Sequence, residues 1–427
     1  MSTHLPHPTT ADATAAAAAA ARVPGAAAHL ARTASVVAAG GDAVSGRATA
    51  AGTRRYAERF TKKHAEGGGG GGFAANFYRV LPGGDEPGDA GVKDEGVVVS
   101  SIGLGTYLGE CDERDDEAYA VTARRALERG VNLIDTAINY RCQRSERALG
   151  TALAAAIADG VVRRDEVVLC TKGGYVPLDG EPPATRAEYR AYLEREFFAA
   201  GVMTPADVVA GGHCMAPGYL AHQIARSRRN LGVETLDVYY LHNPEQQLDA
   251  VDHVTFRERV RDAFAALEAH VAHGEIARYG VATWNGLRTP PRTKGHLSLL
   301  ELVETAREVA GDDHHFAVVQ LPINLAMPEA ARAATQEVRV SRGATRPAPL
   351  LEAAAELGVG VVASATLMQA QLARGLPEAV HAAFPDLATD AQRAIAFTRA
   401  LPGVVTALVG MKSLEHLEEN LGVGRRA

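Results

Sequence analysis

Cysteine is scarce in this chain of 427 residues: there are four, Cys111, Cys142, Cys170 and Cys214, and none forms a CxxC pair. That excludes a disulfide-stapled scaffold, and the four read as reduced thiols of an intracellular protein. No stretch stays apolar for the roughly 18 residues of a membrane span. Excess positive charge is also lacking, with 44 Lys and Arg against 51 Asp and Glu and a formal net charge of −7. Such mild acidity argues against a nucleic-acid or anionic-membrane partner. The GxGxxG of an open dinucleotide-binding sheet is lacking too, since "GLGTYLG" at 103–109 has the wrong spacing.

Residues 1–76 differ in texture from the rest. They hold an alanine-rich run and six consecutive glycines at 67–72. Such composition offers little to bury, so a mobile tail and a flexible linker are expected over 1–76. Within it, 52–66 carries helix-forming residues with Tyr56 and Phe60 at i, i+4, which predicts a short helix docked on the body. The compartment expected is the cytoplasm; the Arg-bearing, acid-poor tail also fits an organelle transit peptide.

From 77 to 427 the pattern is regular. "FYRVL" and "GVVVSSIGLGTY" predict strands around a Gly/Pro/Asp-rich loop, the first an N-terminal β-hairpin arm. Apolar strands then follow at 131–135, 166–172, 235–242, 277–283, 315–321, 359–365 and 404–410, with amphipathic stretches such as 116–130 and 256–276 between them. With the GLGTY strand, this makes eight. β-branched strands separated by helices imply a buried parallel sheet, and eight such units fit a closed (β/α)8 TIM barrel.

Chemistry in such barrels sits where strands end. Asp135 ends one strand, with Tyr140 in the loop beyond; Lys172 ends the next, in "CTKGGY"; His242 ends the one after, in "YYLHNPE", followed by Asn243 and Glu245. Gln320 and Asn324 come from a later strand end. Singly, each has a plain structural explanation: a solvated lysine, a hydrogen-bonding loop histidine, a helix-capping aspartate. Together they make chemical sense. A phenol near pKa 10 is a poor proton donor, but an ammonium beside it lowers that value. A carboxylate keeps the ammonium in place, and a neutral imidazole can orient a carbonyl. The set suits proton delivery to an oxygen while a hydride reaches carbon.

These residues resemble the aldo-keto reductases, over roughly 77–427. "GLGTY" at 103–107, "DTAINY" at 135–140, "RSERALG" at 144–150, "TKGG" at 171–174, "LHNPE" at 241–245 and "GMKSLEHLEENL" at 410–421 are similar to that family's motifs in order. The resemblance implies that Tyr140 is the general acid for reduction and the general base for oxidation. Lys172 and Asp135 would tune it, and His242 would orient the carbonyl. Gly105, Thr106 and Asp135 would approach the nicotinamide ribose, and Gln320 its carboxamide. Thr283 and Leu367 join the expected cofactor set. Lys412 and Ser413 would receive a 2′-phosphate, with His416 where arginine often stands and Asn420 near the adenine. This favours NADPH, with NADH as the alternative, and a small carbonyl or polyol substrate.

Two departures stand out against the family pattern. Ala282 and Thr283 occupy the places of its Ser-Asn pair, and Ser364 stands where a stacking tyrosine is common. Stacking is lost there unless Tyr107 or Trp284, the only tryptophan, supplies it; both are expected to line the substrate pocket, with a structural plug as the alternative for Trp284. Long excursions at 177–219, 285–298 and 325–349 would shape the pocket or a lid. His213 and Cys214 lack further ligands at usable spacing, so no metal is expected. Cys142 reads as an incidental thiol, since nothing near it in sequence marks it as activated. The leading expectation is an NADP-linked reductase of aldehydes and ketones, or dehydrogenase of sugar-like alcohols. The alternative is a cofactor-binding regulatory subunit with little turnover.

Overall fold

The computed structural model describes residues 43–65, 72–83, 96–180, 182–341 and 343–425. The alanine-rich tail up to residue 42 and most of the glycine run lie outside them. β1 (Tyr78–Leu81) pairs antiparallel with β2 (Val97–Ser100) as a hairpin. Eight parallel strands then close a barrel: β3 (Ile102–Gly105), β4 (Leu133–Asp135), β5 (Val168–Gly173), β6 (Val238–His242), β7 (Tyr279–Ala282), β8 (Phe316–Pro322), β11 (Gly360–Ser364) and β12 (Val404–Gly410). β9 (Gln336–Ser341) and β10 (Ala344–Ala348) form a separate hairpin within the excursion after β8.

Physical reasons for the barrel are visible in burial. Every residue of β4, β5, β7 and β8 is buried, as expected of strands covered by side chains inside and helices outside. Helices begin with capping side chains: Asp112 accepts from the Asp115 amide at the start of Glu113–Glu128, and Asp252 does the same for Thr255 at His253–Ala272.

The helix expected near 52–66 spans Ala50–Ala65. It lies at the end of the barrel where strands begin, away from the strand ends that carry polar groups. Tyr56 donates its hydroxyl to the Leu127 carbonyl at 2.6 Å, and Arg55 and Arg59 pair with Asp165 and Glu166. Phe60 meets Phe73, which stacks on Phe77 with ring centres 3.8 Å apart. Aromatic residues on both sides of the glycine run therefore enter one core.

The described residues of the 177–219 excursion pack around a cluster of their own: Tyr192, Leu193, Phe197, Met203, Cys214 and Tyr219. Hydrogen bonds from Tyr192 to the Pro177 carbonyl and from Tyr219 to the Tyr175 carbonyl tie it to the end of β5.

Candidate active site

Strand register sets the rim. Gly105 lies opposite Asp135, Lys172 opposite Tyr240, and His242 opposite Ala282, which in turn lies opposite Gln320. Asp135, Lys172 and His242 thus come from three adjacent strand ends. Tyr140 follows β4 in a tight turn in which Arg141, Cys142 and Gln143 all hold positive φ, at 49°, 53° and 68°. Three successive left-handed residues without a glycine cost energy that the surroundings must supply.

Arg141 provides that restraint. Its buried guanidinium donates to the carbonyls of Glu110 and Asp112 and to the Asp116 carboxylate, at 2.7, 3.1 and 2.6 Å. The Tyr140 turn is thereby stapled to the segment after β3.

At the centre, Lys172 Nζ donates to Asp135 Oδ1 at 2.5 Å and to the Thr136 carbonyl at 2.8 Å. It lies 5.0 Å from the centre of the Tyr140 ring. His242 also meets the phenol, with ring centres 5.9 Å apart, and Tyr107 packs edge-on at 5.1 Å. Burial pulls the Lys172 ammonium down, but Asp135 outweighs it and the pKa stands above the ordinary value. Burial raises the Asp135 carboxyl, opposed by Lys172 and by the Gln320 amide. Burial likewise raises the Tyr140 phenol, against the charge and hydrogen bond of Lys172, so it is protonated at neutral pH. His242 is pushed well below its ordinary value by burial and by Lys172 and is a neutral imidazole. Its Nδ1 is buried without a hydrogen-bond partner among the described residues.

A second layer holds His242 in place. Gly173 and Gly174 allow the loop after Lys172 to close on it: a Cβ on Gly173 would stand 1.9 Å from the Tyr239 hydroxyl, and one on Gly174 2.8 Å from the His242 carbonyl. That carbonyl accepts from His213 Nε2 at 2.8 Å, while His213 Nδ1 faces Gln247 Nε2 at 2.8 Å. Because Arg259 donates to Gln247 Oε1, the amide presents N–H to His213 and fixes the Nε2–H tautomer. His213, expected as no metal ligand, is here a hydrogen-bonding post. Tyr175 packs between the two histidines, at 5.2 Å from His213 and 5.0 Å from His242, and receives a hydrogen bond from Asn243.

The expected cofactor residues are spread over the rim. Thr106 is buried and donates to the Asp135 carbonyl; Gln320 Nε2 donates to Asp135 Oδ2 at 2.8 Å. Thr283 donates to Glu245 Oε1 at 2.5 Å, an oxygen that also receives the amides of Trp284, Asn285 and Gly286. Glu245 is almost fully buried, and burial raises its carboxyl. Leu367 packs, half-buried, on the core. Ser413 caps helix Leu414–Leu421 by accepting from the His416 amide; His416 is exposed and Asn420 buried. Lys412 is part-exposed and donates to Asp115 Oδ2 at 2.8 Å. Tyr107 and Trp284 are 59% and 44% exposed, which leaves two aromatic faces open at the mouth. Beside the Tyr140 turn opens a cavity of about 320 Å³, bounded by Asn139, Cys142, Tyr175, Leu178 and Tyr189.

Residues 101–297 match the aldo/keto reductase family model. Over that stretch the chain is similar to the aldo-keto reductases. A D-threo-aldose 1-dehydrogenase from a Pseudomonas species is 31% identical over 170 residues, which cover 40% of this chain and 44% of that one. The chain spans less than half the length of the curated relatives it matches. Among solved structures, a glycerol dehydrogenase from Gluconobacter oxydans shares the fold with a TM-score of 0.52 at 19% identity, over 82% of this chain and 90% of that one. An aldo/keto reductase from Klebsiella pneumoniae, in complex with NADP and acetate, does so with a TM-score of 0.50 at 22% identity, over 77% and 87%.

Sequence patterns single out Asp135, Tyr140, Lys172 and His242, which the barrel brings around one cleft, but not their supports. Arg141, Tyr175, His213 and Glu245 act through partners remote in the chain. Only Glu245 carries a sequence signal, as an acid following Asn-Pro at a strand end.

Proposed function

We propose that this chain is an aldo-keto reductase, an NADP(H)-dependent oxidoreductase that interconverts a small aldehyde or ketone and its alcohol, with Tyr140 as proton donor. The observation that carries the reading is a buried Lys172 ammonium, anchored by Asp135, 5.0 Å from the centre of the Tyr140 ring, with a neutral His242 ring 5.9 Å from it. A reduced nicotinamide, when bound, supplies the hydride. Residues fit such a group: Tyr107 and Trp284 offer open faces, and exposed Lys412, at present paired with Asp115, stands beside the start of helix Leu414–Leu421.

The chain's own work is proton handling. In reduction, the protonated phenol delivers to the carbonyl oxygen, and Lys172 steadies the phenolate left behind. A neutral His242 donates to that oxygen and orients it without competing as an acid. In oxidation the phenolate takes the alcohol proton. The Pseudomonas relative's name points to sugars, and the neighbouring 320 Å³ cavity, with the phenols of Tyr175 and Tyr189 and the amide of Asn139, supports a hydroxylated substrate.

A panel of aldehydes, ketones and aldoses, followed by NADPH and NADH absorbance, tests the proposal. Tyr140→Phe is expected to lose at least about 100-fold in turnover, the scale of general acid catalysis. Unchanged turnover removes Tyr140 from the role. A second reading, a cofactor-binding regulatory subunit, draws support from the Thr283 hydroxyl and one Gln320 N–H, which donate to the Glu245 and Asp135 carboxylates. It predicts NADP(H) binding with background turnover across the whole panel and a stable protein partner in pull-downs.

A further inference from the structure

Two of the four cysteines meet. Cys111, exposed in the segment after β3, lies with its sulfur 3.1 Å from that of Cys142, which is buried in the Tyr140 turn. The contact joins loops 31 residues apart, and it is not a chance meeting of two mobile surfaces. Arg141, the covalent neighbour of Cys142, holds the carbonyls of Glu110 and Asp112, which flank Cys111 on either side. Asp115 adds a second tie, accepting from the Glu110 amide and from Lys412. Backbone on both sides of the thiol pair is therefore held by part-buried hydrogen bonds.

We propose that Cys111 and Cys142 form a modification site: a dithiol that a hydroperoxide oxidises to a disulfide, locking the Tyr140 turn to the segment after β3. Cys111 is the sulfur that reagents reach. A hydroperoxide transfers one oxygen to it, giving a sulfenic acid and releasing an alcohol, or water from hydrogen peroxide. The Cys142 sulfur then attacks that sulfur; the S–S bond forms, the S–O bond breaks, and hydroxide leaves with the Cys142 proton as water. Two thiols lose two electrons and the peroxide gains them. Burial pushes the Cys142 thiol up to about 12, so it stays protonated and is not the first site of attack; contact with Cys111 places it to resolve the sulfenic acid. Cys170 and Cys214 are buried and have no such neighbour, so they take no part.

Consequences for the site follow from position. Cys142 lies two residues beyond Tyr140, in the left-handed run, and lines the cavity beside it. Drawing the two sulfurs from contact to covalent distance pulls on the turn that aims the phenol. This effect on turnover rests on the proposed oxidoreductase reading; the chemistry of the pair does not.

Full-length protein is treated with hydrogen peroxide, alkylated, and digested with trypsin without reduction. Expected is a disulfide-linked pair of peptides spanning residues 94–114 and 142–144. The titratable thiols of the denatured protein fall from four to two and return with dithiothreitol. Cys111→Ser abolishes the linkage and keeps three titratable thiols. An unchanged thiol titre, or Cys111 overoxidised with no link to Cys142, overturns the proposal. In parallel, carbonyl-dependent NADPH oxidation falls in the bridged protein, by up to about 100-fold as for a displaced catalytic group, and Cys111→Ser keeps its rate in peroxide. A linked peptide at full yield with unchanged turnover overturns the locking of the turn. Absence of turnover before any oxidation counts against the oxidoreductase reading alone, because the linkage is read by mass.

Discussion

Lys172→Met removes the one charge on which the proposed proton chemistry depends, at nearly constant volume. In the native site the ammonium lies 5.0 Å from the Tyr140 ring centre, and at an effective dielectric of about 20 that distance corresponds to about 3 kcal/mol of phenolate stabilisation. Losing it raises the phenol by roughly two pKa units. The two reaction directions then respond unequally. Alcohol oxidation requires phenolate, so at pH 9, below the phenol's pKa, the reactive fraction and the rate fall about 100-fold. Carbonyl reduction uses the protonated phenol, which remains fully populated; it loses only driving force, and with about half of the shift felt in the transition state the fall is nearer 10-fold.

The same substitution strands the Asp135 carboxylate in the barrel with Gln320 as its one side-chain donor among the described residues, and leaves the Thr136 carbonyl without its ammonium. Breaking a buried pair from one side costs about 3–5 kcal/mol. Adding Asp135→Asn to Lys172→Met removes the orphaned charge, so the double variant is expected to regain most of that stability while turnover stays reduced. Urea unfolding followed by circular dichroism, with kcat/KM in both directions, separates the two effects. Turnover of Lys172→Met within about 3-fold of the parent, against the Coulomb term above, refutes the electrostatic argument. A double variant no more stable than the single one refutes the buried-charge argument.

Acid should weaken the fold through His213, which burial holds down at about 4. An unfolded chain protonates this histidine below about pH 6.5 while the folded one does not. Stability is thus complete at neutral pH and declines as pH falls from about 6.5 to about 4, by about 3 kcal/mol from this group. Urea midpoints at pH 7 and pH 4.5 should differ less in His213→Gln than in the parent, and an equal difference would argue against it. At the opposite end of the barrel, Tyr56→Ala opens a cavity under helix Ala50–Ala65 where Tyr56, Phe60 and Phe73 meet. A loss of about 3–5 kcal/mol is expected in thermal or denaturant unfolding, and a change below about 0.5 kcal/mol, the scale of a surface substitution, would mean that the helix adds nothing to the core.

What was legible in the chain is what local physics encodes. Strands buried on both faces need continuous apolar, β-branched runs, so β5, β6, β8 and β12 announce themselves, and with them the fold. A charged residue that ends such a run must emerge at the rim, which is why Asp135, Lys172 and His242 can be picked out together. The helix at Ala50–Ala65 is half legible: the spacing of Tyr56 and Phe60 marks one apolar face. Its partner Phe73 lies beyond the glycine run, and nothing local says that the chain returns. Legibility ends where a side chain is defined by a distant partner. Nothing in the sequence marks Arg141, whose role lies in its three acceptors at Glu110, Asp112 and Asp116. Thr283 reads as a failed asparagine until Glu245, 38 residues earlier, accepts its proton. Cys142 reads as an incidental thiol until Cys111 is found against it. Each pair depends on how two loops lie over adjacent strand ends, and loop path follows turn geometry rather than composition. The three left-handed residues after Tyr140 carry no glycine to mark them. Their conformation is imposed by the Arg141 hydrogen bonds that the same turn makes possible, so turn and staple must form together, and neither could be inferred from the sequence without the other.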